Sequence, residues 1–547
     1  MKTVIKQNWR QWTTILIFSL LILIPQLYQP GHLIFGVDGV FHYNRFYDAY
    51  MQIKEHNFQP FIMMYGFGQV GRYINVIYSP LLAYLAGGIL FVVKSYYKLQ
   101  LILNFSVLLA AGLSMYYMLA VGKLRRQVQL YGALSYMLSF PVIAWIFGQQ
   151  FTGVGAAFLP LVGALAIRLV VDKTKPVIVV EMIAIMTLII QTHVLSAVLA
   201  VILMVLAYAY SVITNPNQRL KTFGKIALSA VMTLILTVNI WGAYLFINVQ
   251  DAILPPFPFA YRQQRLMNWN FQDKFTAPTI LMLTALFMVL FWTYRKSVDK
   301  GSQYIGYLGV AFLLLASGLL PIDFLVKKIP AVAILQFPFR LAPIGIMLIT
   351  YAGLKALEKG AMSQGIRMVW LIFVKLFILM GIFTVTNQFN ILLNDWNKPK
   401  GAIPYYYTTL DERVNKPFAV QEAFASHDLS KPWSMMAKTV PDYLPKTSDA
   451  DKLYQAIDQV PIVRKIEQYY LTNHDFNKAV RNKKIYITWK QKQAGTVNLP
   501  VVHYQGTQYV LDNKKVGTNE VKTGPVGTSQ MQVSKGQHQV AVSYRVR

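Results

Sequence analysis

Cysteine is absent from the 547 residues. This excludes disulfides, thiolate nucleophiles and Cys-ligated zinc or iron–sulfur centres, and it leaves the redox state of the compartment unreadable. Charge is scarce as well: 14% of residues are charged, against about 25% in average globular usage, which argues against an ordinary soluble enzyme. Acid is scarcer still, with 23 Asp and Glu against 52 Lys and Arg, a formal charge of +29. The sequence has no GxxxxGK[ST], no HExxH and no GxSxG at a strand-to-helix turn, which speaks against ATP-driven transport, zincin proteolysis and α/β-hydrolase chemistry. No fixed-period repeat, low-complexity tract or inverted-repeat hydropathy stands out, and the last absence weakens the case for a carrier.

What is present is apolar: 55% of the chain. Runs of helical length recur at 12–28, 99–121, 129–147, 152–171, 177–191, 194–212, 226–247, 278–293, 303–320, 341–356 and 368–387. The first run leads into Gln26, Tyr28, Gln29 and Pro30, with no small-x-small site, so it is expected to stay as a span. The basic excess is spread, with 30 basic and 10 acidic residues in 1–387 and 22 against 13 in 388–547. It forms no stripe interleaved with aromatics, which argues against nucleic acid.

Instead the bases cluster in alternate loops: Lys2, Lys6 and Arg10; Lys123, Arg125 and Arg126; Lys173 and Lys175; Arg219, Lys221 and Lys225; Arg295, Lys296 and Lys300; Lys355, Lys359 and Arg367. The positive-inside rule then puts the N-terminus in the cytoplasm and 388–547 outside. This requires the apolar stretch 76–93 not to cross, so 31–98 reads as one long first external loop with 76–93 along or in the outer leaflet. A true span at 76–93 with one misplaced later helix is the alternative. The expected fold is mainly α, a polytopic transmembrane bundle of about 11–13 spans over 1–387, followed by an extracytoplasmic domain over 388–547. Near 448–458 a helix is expected. Strands are expected at Ile485–Trp489, Leu499–Tyr504, Gln508–Leu511, Met531–Val533 and Gln539–Tyr544, a small antiparallel sandwich over about 484–547.

The first external loop is the richest in chemistry. In Gly36-Val37-Asp38-Gly39-Val40-Phe41-His42-Tyr43-Asn44-Arg45, two glycines flank an acid that a turn would present at a helix start. Asp38, His42 and Arg45 are then four and three residues apart, on one helix face. They suit acid–base work and phosphate binding; equally, Asp38 is a plain N-cap and the other two decorate an interfacial helix. Tyr65-Gly66-Phe67-Gly68-Gln69-Val70-Gly71-Arg72-Tyr73 continues the loop.

Other outward loops hold Gln149 and Gln150, His193 in Gln191-Thr192-His193, Arg262 and Arg265 near Pro255-Pro256-Phe257-Pro258, and Gln336-Phe337-Pro338-Phe339-Arg340. Arg340 at a helix start can hold a phosphate or anchor to a headgroup. Within spans, Glu181 and Lys375 are ionisable, and structural pairing is the plainer reading for both.

An acid just after the first span, many spans and an exterior C-terminal domain resemble the GT-C class of membrane glycosyltransferases. More narrowly, Gly36 to Arg45, Phe67-Gly68-Gln69-Val70-Gly71, Gln191-Thr192-His193, Gln336 to Arg340 and the closing Gly-x-His-x-Val-x-Val-x-Tyr of Gly536 to Tyr544 resemble the YfhO-like membrane proteins. That set includes proteins labelled as 6-pyruvoyl-tetrahydropterin-synthase-related.

The resemblance implies transfer of a sugar from a polyprenyl-phosphate donor to a teichoic acid, glycolipid or polysaccharide acceptor on the outer face of the plasma membrane. The resemblance makes Asp38 the general base; our own reading of the residues adds His42, Arg45, His193 and Arg340 as carrier-phosphate or acceptor ligands and Gln149, Gln150, Arg262, Arg265 and Gln336 as further substrate-binding candidates. The resemblance also implies juxtamembrane helices in the first loop and a separate donor synthase and flippase. The loop 148–153 would face the active site. In oligosaccharyltransferases that loop carries metal-holding acids; here it carries Gln149 and Gln150, so neither metal nor other cofactor is expected. A transporter or flippase of lipid-linked intermediates, relying on Glu181 and Lys375, and a non-catalytic envelope scaffold are the competing readings.

Overall fold

The structure, a computed structural model, describes residues 2–256, 278–317, 335–399, 408–411, 416–455, 460–472 and 474–545, with 319, 324, 328, 329, 332 and 414 as isolated positions. It divides into two compact units, each discontinuous in sequence. A helical unit takes Met1–Ile34, Gln100–Thr237 and Tyr261–Trp396; a mixed unit takes Phe35–Leu99, Val238–Ala260 and Asn397–Arg547. The first external loop therefore groups with the C-terminal part.

The long helices, in chain order, are α1 (Lys2–Ile22), α2 (Gly39–Lys54), α3 (Pro80–Val93), α4 (Tyr96–Val121), α5 (Arg126–Met137), α6 (Phe140–Gly148), α7 (Phe151–Val171) and α8 (Val179–Thr192). There follow α9 (Val194–Thr214), α10 (Arg219–Leu236), α11 (Val238–Gln250), α12 (Pro278–Tyr294), α13 (Lys300–Ala316), α14 (Ala342–Lys359) and α15 (Gln364–Asn394). Among the described residues, five helices are long and apolar enough to cross a membrane: Tyr96–Val121, Phe151–Val171, Val194–Thr214, Pro338–Lys359 and Gln364–Asn397. Two broken pairs, α5 with α6 and Pro216–Leu236 with α11, raise the number to seven if each counts as one span. This makes the chain a multi-pass membrane protein.

The expected runs 129–147 and 226–247 are thus interrupted rather than continuous. The first bends by 41° between α5 and α6, where Ser139 sits at the N-cap of α6 and a proline follows in its first turn. That ring has no N–H to give the preceding turn, which explains the break. The run 177–191 is a 14-residue helix, α8.

In the helical unit α7 and α14 are buried along most of their length, while α15 leaves half of its apolar side chains exposed and few buried, as a lipid-facing helix does. Glu181 accepts a hydrogen bond from the Tyr117 hydroxyl at 2.5 Å and pairs with the Arg168 guanidinium. This accounts for one intramembrane charge by structure. The other, Lys375, lies 5.8 Å over the Tyr131 ring.

In the mixed unit α2 is buried on nearly every side. Against it packs α3, through Ala83, Ala86, Gly87 and Leu90. The approach is close: a Cβ on Gly87 would lie 2.7 Å from the Tyr50 amide nitrogen. The opposite face of α3 leaves Leu81, Leu85 and Val92 exposed. At about 1.5 Å per residue its 14 residues are short for a hydrocarbon core of about 30 Å.

Strands β1 (Thr408–Leu410) and β2 (Met436–Lys438) pair antiparallel, and a helix at Ser448–Gln455 follows. The remaining strands are β3 (Asn477–Arg481), β4 (Lys484–Gln491), β5 (Gly495–Val502), β6 (Thr507–Leu511), β7 (Lys514–Lys515), β8 (Val521–Thr523), β9 (Thr528–Val533) and β10 (Gly536–Tyr544). They form an antiparallel five-stranded sheet, β3-β4-β10-β6-β7, and a three-stranded one, β5-β9-β8. Alternation on β4 points Ile485, Ile487 and Trp489 inward. The two sheets are tied where the Tyr509 hydroxyl meets Ser529 Oγ at 2.6 Å.

Candidate functional site

The head of α2 is built by a turn in which the Gly39 N–H donates to Gly36 O at 3.1 Å. Asp38 occupies the N-cap position, and its backbone carbonyl accepts the His42 N–H at 3.0 Å. Its carboxylate, however, makes no cap hydrogen bond to α2, which removes the plain N-cap reading. The side chain is half-buried.

Beside it stands a residue that sequence reading missed. Lys438, at the end of β2, is buried, and its ammonium donates to Val37 O at 3.3 Å. Burial pushes that ammonium down to about 8, opposed by the negative charges of Asp38 and Asp442. The Asp38 carboxylate, at a helix start, thus lies within electrostatic reach of an enclosed ammonium.

His42 and Arg45 lie one turn further on and are both fully enclosed. Arg45 Nη1 approaches His42 Nδ1 at 3.0 Å. A guanidinium is donor-only, so Nδ1 is the acceptor and a neutral His42 carries its proton on Nε2. Arg45 Nε donates to Asn75 Oδ1 at 2.9 Å, and Nη2 donates to Ser79 O at 3.3 Å and to Tyr78 O. The guanidinium also stacks 4.8 Å over the Tyr78 ring. Burial lowers it to about 10, so it stays charged at neutral pH. Arg45 fastens the Asn75–Ser79 segment to α2 and holds the His42 ring; it is not displayed at a surface for a phosphate.

The segment 65–73 is held by α2 in the same way. Asn44 Oδ1 accepts the Phe67 N–H at 2.9 Å. Asp48, fully buried, accepts the Tyr65 and Gly66 N–H groups at 2.7 and 3.1 Å and Gln52 Nε2 at 2.6 Å. Gly71 has a left-handed φ of 71°, and a Cβ there would lie 2.1 Å from the Tyr544 hydroxyl. The glycine spacing of this motif therefore serves a tight backbone path.

Burial raises the Asp48 carboxyl to about 6, against the pull of its backbone donors. The folded chain then binds this proton more tightly than the unfolded chain does. The contribution to stability is complete below about pH 4 and is lost as pH rises through about 6, roughly 2–3 kcal/mol in all. Asp48→Asn is expected to flatten that part of the stability profile. Thermal unfolding of wild type and variant between about pH 4 and pH 7 checks it; parallel profiles would refute it.

In the helical unit, His193 ends α8 and caps α9, with Nδ1 at 2.8 Å from Ser196 Oγ. The Arg340 charge reaches the His193 ring. Arg340 Nη1 donates to Gln336 Oε1 at 2.8 Å, and its guanidinium lies 5.0 Å over the Phe337 ring. Gln149, buried, adopts a left-handed φ of 49° at the end of α6 and donates to Ile146 O at 3.1 Å. Gln150 takes the N-cap position of α7. Arg262 and Arg265 lie outside the described residues. Among the described residues, no three His, Asp or Glu side chains gather at metal-ligating spacing.

No protein-family model and no curated protein matches this chain. Among the solved structures to which it is similar are two of the Archaeoglobus fulgidus oligosaccharyltransferase. One, tethered with an acceptor peptide containing the NVT sequon via a disulfide bond, is 13% identical with a TM-score of 0.39, over 72% of this chain and 57% of that one. The other, in complex with Zn and sulfate, is 14% identical with a TM-score of 0.34, over 69% of this chain and 52% of that one. The chain thus spans little more than half the length of these structures.

Proposed function

We propose that the chain is a membrane glycosyltransferase of GT-C type, taking a sugar from a polyprenyl-phosphate-linked donor and passing it to a cell-envelope acceptor on the outer face. The observation that carries this reading is the Asp38 carboxylate, half-buried at the head of α2, not spent on capping, and within electrostatic reach of the buried Lys438 ammonium. The YfhO-like residues of the first loop support it, and the alternating basic clusters support an outward-facing first loop.

In this mechanism an acceptor hydroxyl attacks the anomeric carbon of the donor sugar. Asp38 accepts the hydroxyl proton, the new glycosidic C–O bond forms, and the bond to the carrier breaks, with polyprenyl phosphate leaving with the electron pair. His193, Arg340, Gln149, Gln150, Gln336, Arg262 and Arg265 are the remaining proposed substrate-binding residues. His42 and Arg45 act behind Asp38 by holding its helix. A donor synthase and a flippase are the expected partners. The competing transport reading leans on Glu181, whose charge is already matched by Arg168.

The test is the envelope glycan profile, by mass spectrometry and NMR, of cells lacking the gene and of the same cells complemented with wild type. Loss of one sugar substituent, restored by complementation, is expected. An unchanged profile on deletion would overturn the reading.

A further inference from the structure

The sandwich carries its charge in a place that the transfer mechanism does not use. Residues 477–545 hold eleven Lys and Arg and two acids. One of the acids, Asp512, is occupied by His538 at 2.7 Å. Four of the cations, Arg481, Lys483, Lys484 and Lys490, lie at the β3–β4 hairpin and along β4 of the five-stranded sheet, whereas Lys478 donates to Gly68 O and Tyr470 O and Lys522 lies on the three-stranded sheet.

That hairpin breaks two local rules at once. Arg481 and Lys484 are directly opposite in the antiparallel register, where like charges destabilise. The two loop residues between them, Asn482 and Lys483, have φ values of 46° and 61°. Such a two-residue loop favours glycine second, yet Lys483 stands there. Three cations on four consecutive residues, none paired with an acid among the described residues, are kept at the expense of local stability. Features of that kind are expected where a surface has a function.

Beyond the hairpin, the outward row of β4 runs from Lys484 through Tyr486 and Thr488 to Lys490, so its terminal cations are about 20 Å apart. Thr488 and Lys490 face Gln539 and Gln537 across the register to β10. The face is hydrogen-bonding and cationic at both ends. It has no exposed large apolar side chain of the kind that enters a bilayer.

We infer that this outer sheet face, from the Arg481–Lys484 hairpin to Lys490, binds an anionic envelope polymer: a chain with repeated phosphodiester or carboxylate groups and hydroxyls between them. The inference rests on the proposed transferase reading in one respect, that the bound polymer is the acceptor. The cations meet the repeated negative groups, and the Gln and Thr side chains meet the hydroxyls.

The experiment uses the full-length protein in detergent and needs no turnover. Fluorescent poly(glycerol phosphate) and polygalacturonate are the probes, with neutral dextran as control and vesicles of phosphatidylcholine with phosphatidylglycerol as a separate arm. The variant is Arg481→Thr, Lys483→Gly and Lys484→Thr together, which relieves the like-charge pair and the left-handed lysine and so is expected to melt no lower than wild type.

Wild type is expected to bind at least one anionic polymer, more weakly as salt rises, and the variant roughly tenfold or more weakly with a shallower salt dependence. Failure of wild type to bind either polymer, or equal binding by the variant, would overturn the inference. So would loss of vesicle binding with polymer binding intact, which would make the face a membrane contact. Asp38→Asn is expected to leave this binding in place, so failure of the transferase reading and failure of the polymer surface are distinguishable.

Discussion

Asp38→Asn is expected to reduce sugar transfer about 10³-fold, the middle of the range for removing a positioned general base. The substitution keeps size and shape, and Asn is as good a residue as Asp at an N-cap position. The native carboxylate makes no cap bond to α2, so the helix does not depend on its charge. The rest of α2 is held by Asn44, Arg45 and Asp48, which the substitution does not touch. The measurement is the glycan profile of deleted cells complemented by wild type, Asp38→Asn or Asp38→Glu at equal protein level. Loss with Asn and partial return with Glu are expected, since Glu restores the base about one methylene out of place. Full rescue by Asn would remove Asp38 as the base and move the reading to transport of lipid-linked intermediates or to scaffolding.

How far the sequence announces this arrangement depends on the distance between partners. The turn at Gly36–Gly39, the helix after it and the shared face of Asp38, His42 and Arg45 are local, and their spacing is enough to find them. What Arg45 does is not local. Its acceptors are Asn75 and the carbonyls of Tyr78 and Ser79, thirty or more residues away, so the spacing that offers the guanidinium as a phosphate ligand gives no sign that it is enclosed. Asp48 carries the same lesson: an acid on the next helical turn gives no sign that it will accept two amides from the 65–73 segment.

Among the strands, β4, β5, β6, β9 and β10 alternate clearly in apolar character, whereas β3 reads Asn-Lys-Ala-Val-Arg and has no apolar stripe to find. The span breaks divide similarly. Pro141 beside Ser139 is a legible stop signal within 129–147, while the break at Thr237 has no proline or glycine to mark it. Lys438 is the most distant case, 400 residues along the chain from Asp38 on a three-residue strand, so no window of sequence could pair them.

Lys438→Met is therefore the sharper test of the site, with an expected loss of about 10²-fold in transfer, the scale of a mispositioned reacting group. The ammonium is buried, donates to Val37 O and stands within electrostatic reach of Asp38. Removing it takes away both the tether on the turn before α2 and the positive charge within electrostatic reach of the base. Because burial lowers this ammonium to about 8, wild-type transfer is expected to fall as pH rises through about 8, where the ammonium loses its proton. In Lys438→Met the rate is lower throughout and that alkaline step disappears. In Lys438→Arg the charge persists above pH 8, so part of the rate returns and the step moves out of range. A purely structural lysine would lower the amount of folded protein without changing the shape of the pH profile. Removing one member of a buried charge pair is destabilising, by about 3–5 kcal/mol at full burial, so Lys438→Met is compared with wild type at equal folded protein, and loss of the alkaline step is the deciding readout. A wild-type rate and an unshifted alkaline step in Lys438→Met would show that Asp38 works without this neighbour.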